Sequence, residues 1–197
     1  MPGVTNINNE LSVAEKSLSG QYELSLLIKD CIAQSRAAQK KLYDQYSPAA
    51  YGIIKRYMYG NESGAQEVLN DSFYKIFTKL DQYSFQGAFE GWIRRIVINT
   101  LMDHLRKNIK NDHLFKEVQA EDAYVKSESV EKMSYKELLE IIQTLPDLQR
   151  AVFNLFVFES YSHKEIGTLL GINESNSRWH LNDARRRLKE KINVITQ

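Results

Sequence analysis

Wherever this chain carries a hydrophobic pattern, the pattern steps by three and four residues, and no stretch alternates apolar with polar residues as a strand would. Helices packing on helices are then the only way to bury the apolar surface, so the expected class is all-α. Leu24, Leu27, Ile28 and Cys31 open the series, and Leu42 and Tyr46 continue it. Pro48 suits the first turn of a second helix that carries Tyr51, Ile54 and Met58. Gly60-Asn61-Glu62-Ser63-Gly64 interrupts the pattern. A third helix gathers Leu69, Phe73, Ile76, Phe77 and Leu80 on one face, and a fourth carries Trp92, Ile93, Ile96, Val97, Thr100, Leu101 and Leu105. Between them Tyr83 to Phe89 is aromatic but aperiodic, with Gly87 inside it, and reads as a structured loop. The four stripes can cover one another as a bundle.

Past Lys107 the periodicity fades and charge rises until about Lys132, as in a linker. Helical stepping resumes after Ser134 with Leu138, Leu139, Ile141 and Ile142. It is punctuated at Leu145-Pro146 and continues in Val152, Phe153, Phe156 and Val157. The predicted organisation is a mobile segment over 1–20, a four-helix bundle over 21–107, a flexible linker over 108–132 and a second helical domain over 133–197. A length of 197 residues accommodates two small domains.

Charge matters here by position. The 26 basic and 25 acidic side chains nearly cancel, which neither supports nor excludes a nucleic-acid partner. Between Arg178 and Lys191, however, Arg178, Arg185, Arg186, Arg187, Lys189 and Lys191 face only Asp183 and Glu190. The single cysteine, Cys31, excludes an internal disulfide and, at an apolar helical position, reads as a small core residue. The first residues lack the pattern of a signal peptide, and the longest apolar run, Ala151 to Phe158, is too short to cross a bilayer. A cytoplasmic protein without direct membrane insertion is expected. His104, His113, His163 and His180 have no cysteine or carboxylate partners at ligand spacing, so neither a metal site nor a cofactor is expected. Carboxylates are not clustered as a hydrolase would need, which argues against an enzyme and against a small-molecule substrate.

The end of the chain has the pattern of a helix-turn-helix. Ser162-His163-Lys164-Glu165 has the form of a capping box, Ile166, Leu169 and Leu170 supply a buried face, and Gly171 suits a left-handed helix end. Ile172 can plug the angle between the helices, and Asn173 or Ser175 can cap the next one. In that helix Ser177, Leu181, Ala184, Leu188 and Ile192 point to a core, while Arg178, Asn182, Arg185 and Arg186, with Trp179 beside them, point away. Major-groove readout needs such donors: arginine pairs with guanine and asparagine with adenine.

On these residues the segment from Leu145 to Leu188 resembles region 4 of the extracytoplasmic-function sigma factors. Ala65-Gln66-Glu67-Val68-Leu69-Asn70-Asp71-Ser72-Phe73 resembles that family's AEDVLQETF-type helix, and Phe89 to Asn99 (FEGWIRRIVIN) resembles its F-x-x-W-L-x-R-I-A-x-N segment. The matches span roughly 39–192 in the family's order. The resemblance implies a non-enzymatic subunit that directs core RNA polymerase to promoter DNA. It implies that Glu67, Asn70, Asp71 and Phe73 dock on the clamp coiled coil of the polymerase, with Asn70 and Asp71 the stronger candidates. Phe85, Arg94, Arg95 and Asn99 would then hold the melted −10 strand. Lys164, Asn176, Arg178, Trp179, Asn182, Asp183, Arg185 and Arg186 would hold the −35 duplex, and the exposed edge of Val152 to Phe158 would meet the flap tip. An anti-sigma factor that covers the polymerase-binding surfaces is a further implied partner. Two positions depart from the family pattern: Asp183 stands where a base is usual, and Trp179 replaces a small residue. The rival reading is a stand-alone helix-turn-helix regulator that binds duplex DNA as a dimer. It leaves the aromatic loop and the Arg94 to Asn99 segment without a role.

Overall fold

A computed structural model describes residues 19–58, 60–111 and 134–195, and all regular structure among them is helical. Most of the expected 1–20 segment and of the expected linker therefore lies outside the described residues. The first unit comprises α1 (19–32), α2 (Arg36–Tyr57), α3 (Glu62–Thr78), a short 3-10 turn (Leu80–Gln82) and α4 (Phe89–Asn111). The second comprises α5 (Tyr135–Gln143), α6 (Asp147–Val157), α7 (His163–Leu170) and α8 (Glu174–Ile195).

Local signals set the helix ends. Gln34 adopts a positive φ of 62° after α1, and the Ser35 hydroxyl accepts from the Ala38 amide to start α2. Asn61 caps α3 in the same way through Gly64 N, 2.9 Å away.

Pro48 corrects an expectation: it lies inside α2 rather than opening a new helix. An internal proline costs about 3 kcal/mol because it removes a hydrogen bond and crowds the preceding turn. The face formed by Leu42, Tyr46, Ala50, Ile54 and Tyr57 is buried continuously across it. At about 1.5–3 kcal/mol for each large apolar side chain buried, that face outweighs the loss.

Helices α2, α3 and α4 pack pairwise, and Leu27, Ile28 and Cys31 of α1 join their core. Burial, with a smaller contribution from Asp30, pushes the Cys31 thiol up to about 11, so it stays protonated and unreactive.

In the second unit α8 packs along α5, α6 and α7, with Ala184 and Leu188 meeting Ile141, Ile142 and Leu145. The expected helix-turn-helix signals are present. Ser162 and Glu165 form a reciprocal capping box, Gly171 sits at φ 71°, and the Asn173 side chain caps α8 by accepting from Asn176 N at 2.6 Å. A second capping box, Ser134 with Glu137, starts α5.

Gly167 carries a tighter requirement. A Cβ there would lie 2.7 Å from the backbone oxygen of Ile172, so the α7 turn closes only over a bare helix surface. Gly52, inside α2, has nothing within 4 Å of the same position. In an open helix, Gly→Ala stabilises by about 1 kcal/mol. Gly52→Ala is therefore expected to raise the urea midpoint, whereas Gly167→Ala should lower it, costing about 1–3 kcal/mol through the forced shift of the turn.

The two units touch directly, α2 against α5 and α6, and α4 against α7. A helix leaves its last carbonyls without intrahelical partners. Those of α2 are met by side chains of the second unit. Arg150 Nε donates to Tyr57 O at 2.9 Å, Asn154 Nδ2 to Arg56 O at 3.0 Å and Gln143 Nε2 to Lys55 O at 3.5 Å. Arg150, only 7% exposed, also donates through Nη1 to Gln143 O and Leu145 O, and through Nη2 to Asp147.

Candidate nucleic-acid interface

The first turn of α8 is tied to α7 by His163 Nδ1 and Ser177 Oγ, 2.9 Å apart, and by the Asn173 cap. Ser177, Leu181, Ala184 and Leu188 face inward, which turns Arg178, Asn182 and Arg185 outward on one side at steps of four and three. Lys164 is exposed on α7, whereas Asn176 and Asn182 are half-buried. Trp179 is also half-buried, its ring edge-on to His180 at 4.9 Å, and the Arg185 guanidinium lies 5.7 Å from the centre of the Phe156 ring. Arg178 pairs with Glu174 one turn back, an exposed contact of little net worth that a stronger acceptor can replace.

Asp183, expected on the outward face of α8, is instead turned inward. Only 9% of it is exposed. Its carboxylate accepts from Arg186 at 2.6 Å, Arg187 at 2.7 Å and Gln149 of α6 at 3.3 Å. Burial by itself would raise its pKa, yet the hydrogen bonds from Arg187 and Arg186 prevail and hold it below the ordinary value. An acid at this position is thus an inward strut that braces α8. Arg186 is shared between Asp183 and Glu190, so its charge is largely neutralised within the helix.

Between the 3-10 turn and α4, the Tyr83 hydroxyl donates to Gly87 O at 2.8 Å and closes the loop on itself. Phe85 and Gly87 take positive φ angles of 58° and 90°. For phenylalanine that conformation is uncommon, and it leaves the Phe85 ring 52% exposed. Phe89 is core, and Trp92 is stacked on it with ring centres 5.6 Å apart. Arg94, Arg95 and Asn99 are exposed on α4, and Arg95 and Asn99 share a side one turn apart. Arg94 is engaged by the second unit: its Nε donates to Glu159 and its Nη2 to Phe158 O at 2.9 Å.

On α3, Glu67, Asn70 and Asp71 are exposed together. Phe73, expected among them, is instead 2% exposed and packs against Tyr43, ring centres 4.6 Å apart. It fills the bundle and is not available to a partner. The aromatic on the acidic face is its neighbour Tyr74, 72% exposed. The spacing of 67, 70, 71 and 74 marks one helix face and was a signal available in the sequence. An open groove between α3 and α4 runs beside this face, lined by Glu67, Asp71, Lys75, Asp103, His104 and Arg106. Among the described residues no group of His, Cys, Asp and Glu could hold a metal, and no helix is long and apolar enough to cross a membrane.

Residues 42–110, from α2 through most of α4, match the family model for sigma-70 region 2, and residues 131–188, covering α5, α6, α7 and most of α8, match that for sigma-70 region 4. The chain belongs to the sigma-70 family. Similar curated proteins fall in its extracytoplasmic-function branch. SigE of Mycolicibacterium smegmatis is 27% identical over 157 residues, covering 77% of this chain and 60% of that protein. SigW of Bacillus subtilis is 24% identical over 190 residues, covering 86% of this chain and 98% of that protein. A solved structure of sigma factor RpoE with the anti-sigma factor NepR from Bartonella quintana is similar at a TM-score of 0.48 and 17% identity, covering 79% of this chain and 96% of that one.

Within this sigma-70 frame, Phe85, Arg94, Arg95 and Asn99 lie in region 2, and the outward face of α8 lies in region 4. Sequence reasoning missed the residues that join the regions: Arg56, Arg150, Asn154 and Glu159. Their partners across the seam lie from 65 to 103 positions away, as in the 98-residue separation of Asn154 from Arg56, beyond the reach of any local pattern.

Proposed function

We infer that this chain is a sigma factor of the extracytoplasmic-function type, which binds core RNA polymerase and directs promoter-specific initiation by reading −35 duplex and melted −10 DNA. The observation that carries the inference is the presence in one short chain of two unlike nucleic-acid faces. One is an exposed aromatic loop beside arginines and an asparagine. The other is a donor-bearing helix of a helix-turn-helix. Phe85 offers a stacking surface to an unpaired base, Arg94 and Arg95 hold phosphate, and Asn99 offers an amide to a base edge. Arg178 and Asn182 read the −35 groove while Lys164 and Arg185 hold its backbone.

Glu67, Asn70, Asp71 and Tyr74 form the face for the polymerase clamp, a carboxylate-rimmed helix suited to a basic helical partner. Val157, exposed at the end of α6, belongs to the contact with the flap tip. The protein itself catalyses nothing and works in the cytoplasm. An anti-sigma factor that covers the polymerase-binding faces is the partner that restrains it.

Each base contact is worth only about 1–3 kcal/mol. Holding both faces on one polymerase raises their effective concentration and turns two weak grips into a useful one. The formal net charge of +1 agrees with this, since a stand-alone binder relies on many phosphate contacts. Run-off transcription with purified core polymerase tests the reading. Transcripts should appear from discrete start sites only when both chain and core are present. Tight binding of the chain alone to a specific duplex, with no dependence on core, would instead establish the dimeric regulator.

A further inference from the structure

The seam between regions 2 and 4 is polar at its centre. Glu159, in the turn just past α6, has a side chain only 1% exposed, and its carboxylate is gripped from both sides by region 2. Arg56 Nη2 of α2 donates to one oxygen at 2.8 Å, and Arg94 Nε of α4 donates to the other. Arg94 Nη2 also reaches Phe158 O, and the Arg56 guanidinium lies over the Phe158 ring at 5.1 Å. α7 also packs on α4, where Glu165 of α7 lies within reach of the Arg95 charge.

A carboxylate that takes two arginines occupies them as a DNA phosphate would, because guanidinium recognises both anions with the same forked donors. We propose that Glu159 is an intramolecular phosphate mimic: it latches region 4 onto region 2 and occupies Arg94, a −10 strand-holding residue, until the two regions are drawn apart. The latch rests on the assignment of Arg94 to the −10 strand made above.

Three features of the seam suit a contact that must open. Arg56 Nε, the Tyr57 hydroxyl and Asn154 Oδ1 are all buried there without a hydrogen-bond partner among the described residues, and each such group weakens the closed form. Arg94 keeps 44% of its side chain exposed, so an incoming strand can reach it before Glu159 has left. Finally, two arginines face a single carboxylate, which leaves the seam locally cationic. The outward side of α8 takes no part in it, nor do Phe85 and Asn99. The latch therefore withholds the phosphate grip of region 2 while the −35 face stays open.

The experiment uses the full chain in two opened forms, Glu159→Lys, which repels both arginines, and Arg56→Met, which keeps the apolar stem but removes one arm of the clamp. Circular dichroism selects samples that retain wild-type helicity and a cooperative melt. Small-angle scattering reports the radius of gyration, and fluorescence anisotropy reports binding of a short random-sequence single-stranded DNA. Both variants should expand the particle. Arg56→Met should also bind the strand roughly tenfold more tightly, because apparent affinity scales with the fraction of competent conformer. Adding Arg94→Ala to Arg56→Met should abolish that gain.

An unchanged radius in both variants would overturn the latch. Expansion without a gain in strand binding would overturn the mimicry. A gain that survives Arg94→Ala would remove Arg94 from the −10 contacts and the proposal with it. Failure of the broader sigma-factor reading would appear elsewhere, as absence of core-dependent transcription.

Discussion

Arg150→Ala is expected to lower the stability of the chain by roughly 3–5 kcal/mol, since it removes charged hydrogen bonds worth about 1.5–3 kcal/mol each and leaves buried carbonyls unpaired. One guanidinium here joins three segments of backbone. It meets the end of α2 at Tyr57 O, the end of α5 at Gln143 O and the α5–α6 turn at Leu145 O. The salt bridge to Asp147 contributes least, because that carboxylate is 65% exposed. Urea unfolding followed by circular dichroism measures the loss. Arg150→Lys separates the fork from the charge: a single ammonium cannot span the same three carbonyls, so lysine should recover only a minor part. If lysine matched arginine, the charge alone would be the cause and the bridging geometry would be irrelevant.

The contrast between Arg150 and Gly171 explains what the sequence could disclose. The helix-turn-helix was legible because each of its determinants acts within a few residues. Ser162 reaches Glu165, Gly171 turns left-handed, Asn173 caps the helix it precedes, and the outward side of α8 follows from its inward side. The all-α class was legible for the same reason. Where long-range packing decides, the local pattern misleads. Pro48 looks like a helix start until the buried face running from Leu42 to Tyr57 carries the helix through it. Phe73 belongs to a motif that implies contact with a partner, yet its own position in the stripe with Leu69 and Ile76 turns it into the bundle. Asp183 looks like an exposed departure from a basic position until α6 covers it.

A subtler hint lay in α6. Arg150 and Asn154 are one turn apart within an otherwise apolar stretch, and two polar side chains on one buried face must find partners. The sequence signals that such partners exist; only the fold shows that they are the carbonyls at the end of α2.

Removing the donors proposed to read the −35 duplex should have the largest effect on function. Arg178→Ala and Asn182→Ala are each expected to cut promoter-specific transcription by core polymerase on the order of tenfold to a hundredfold, the equivalent of about 1–3 kcal/mol per base contact. Arg178 is exposed and pairs with the surface carboxylate of Glu174, so stability should stay nearly constant while activity falls. The two positions lie one turn apart on one helix face and would enter the same groove, so the double variant should lose less than the product of the single losses. Arg185→Ala makes the discriminating comparison. A phosphate contact carries no sequence information, so its loss should weaken all promoters alike and reduce the salt dependence of binding by about one unit of slope. Loss of Arg178 should instead relax the preference at one −35 base pair. Templates randomised at −35 and transcribed at two salt concentrations report both effects together. If Arg178→Ala lowered every template equally and flattened the salt dependence, Arg178 would be a backbone contact, and the readout would have to pass to Asn182 and Trp179.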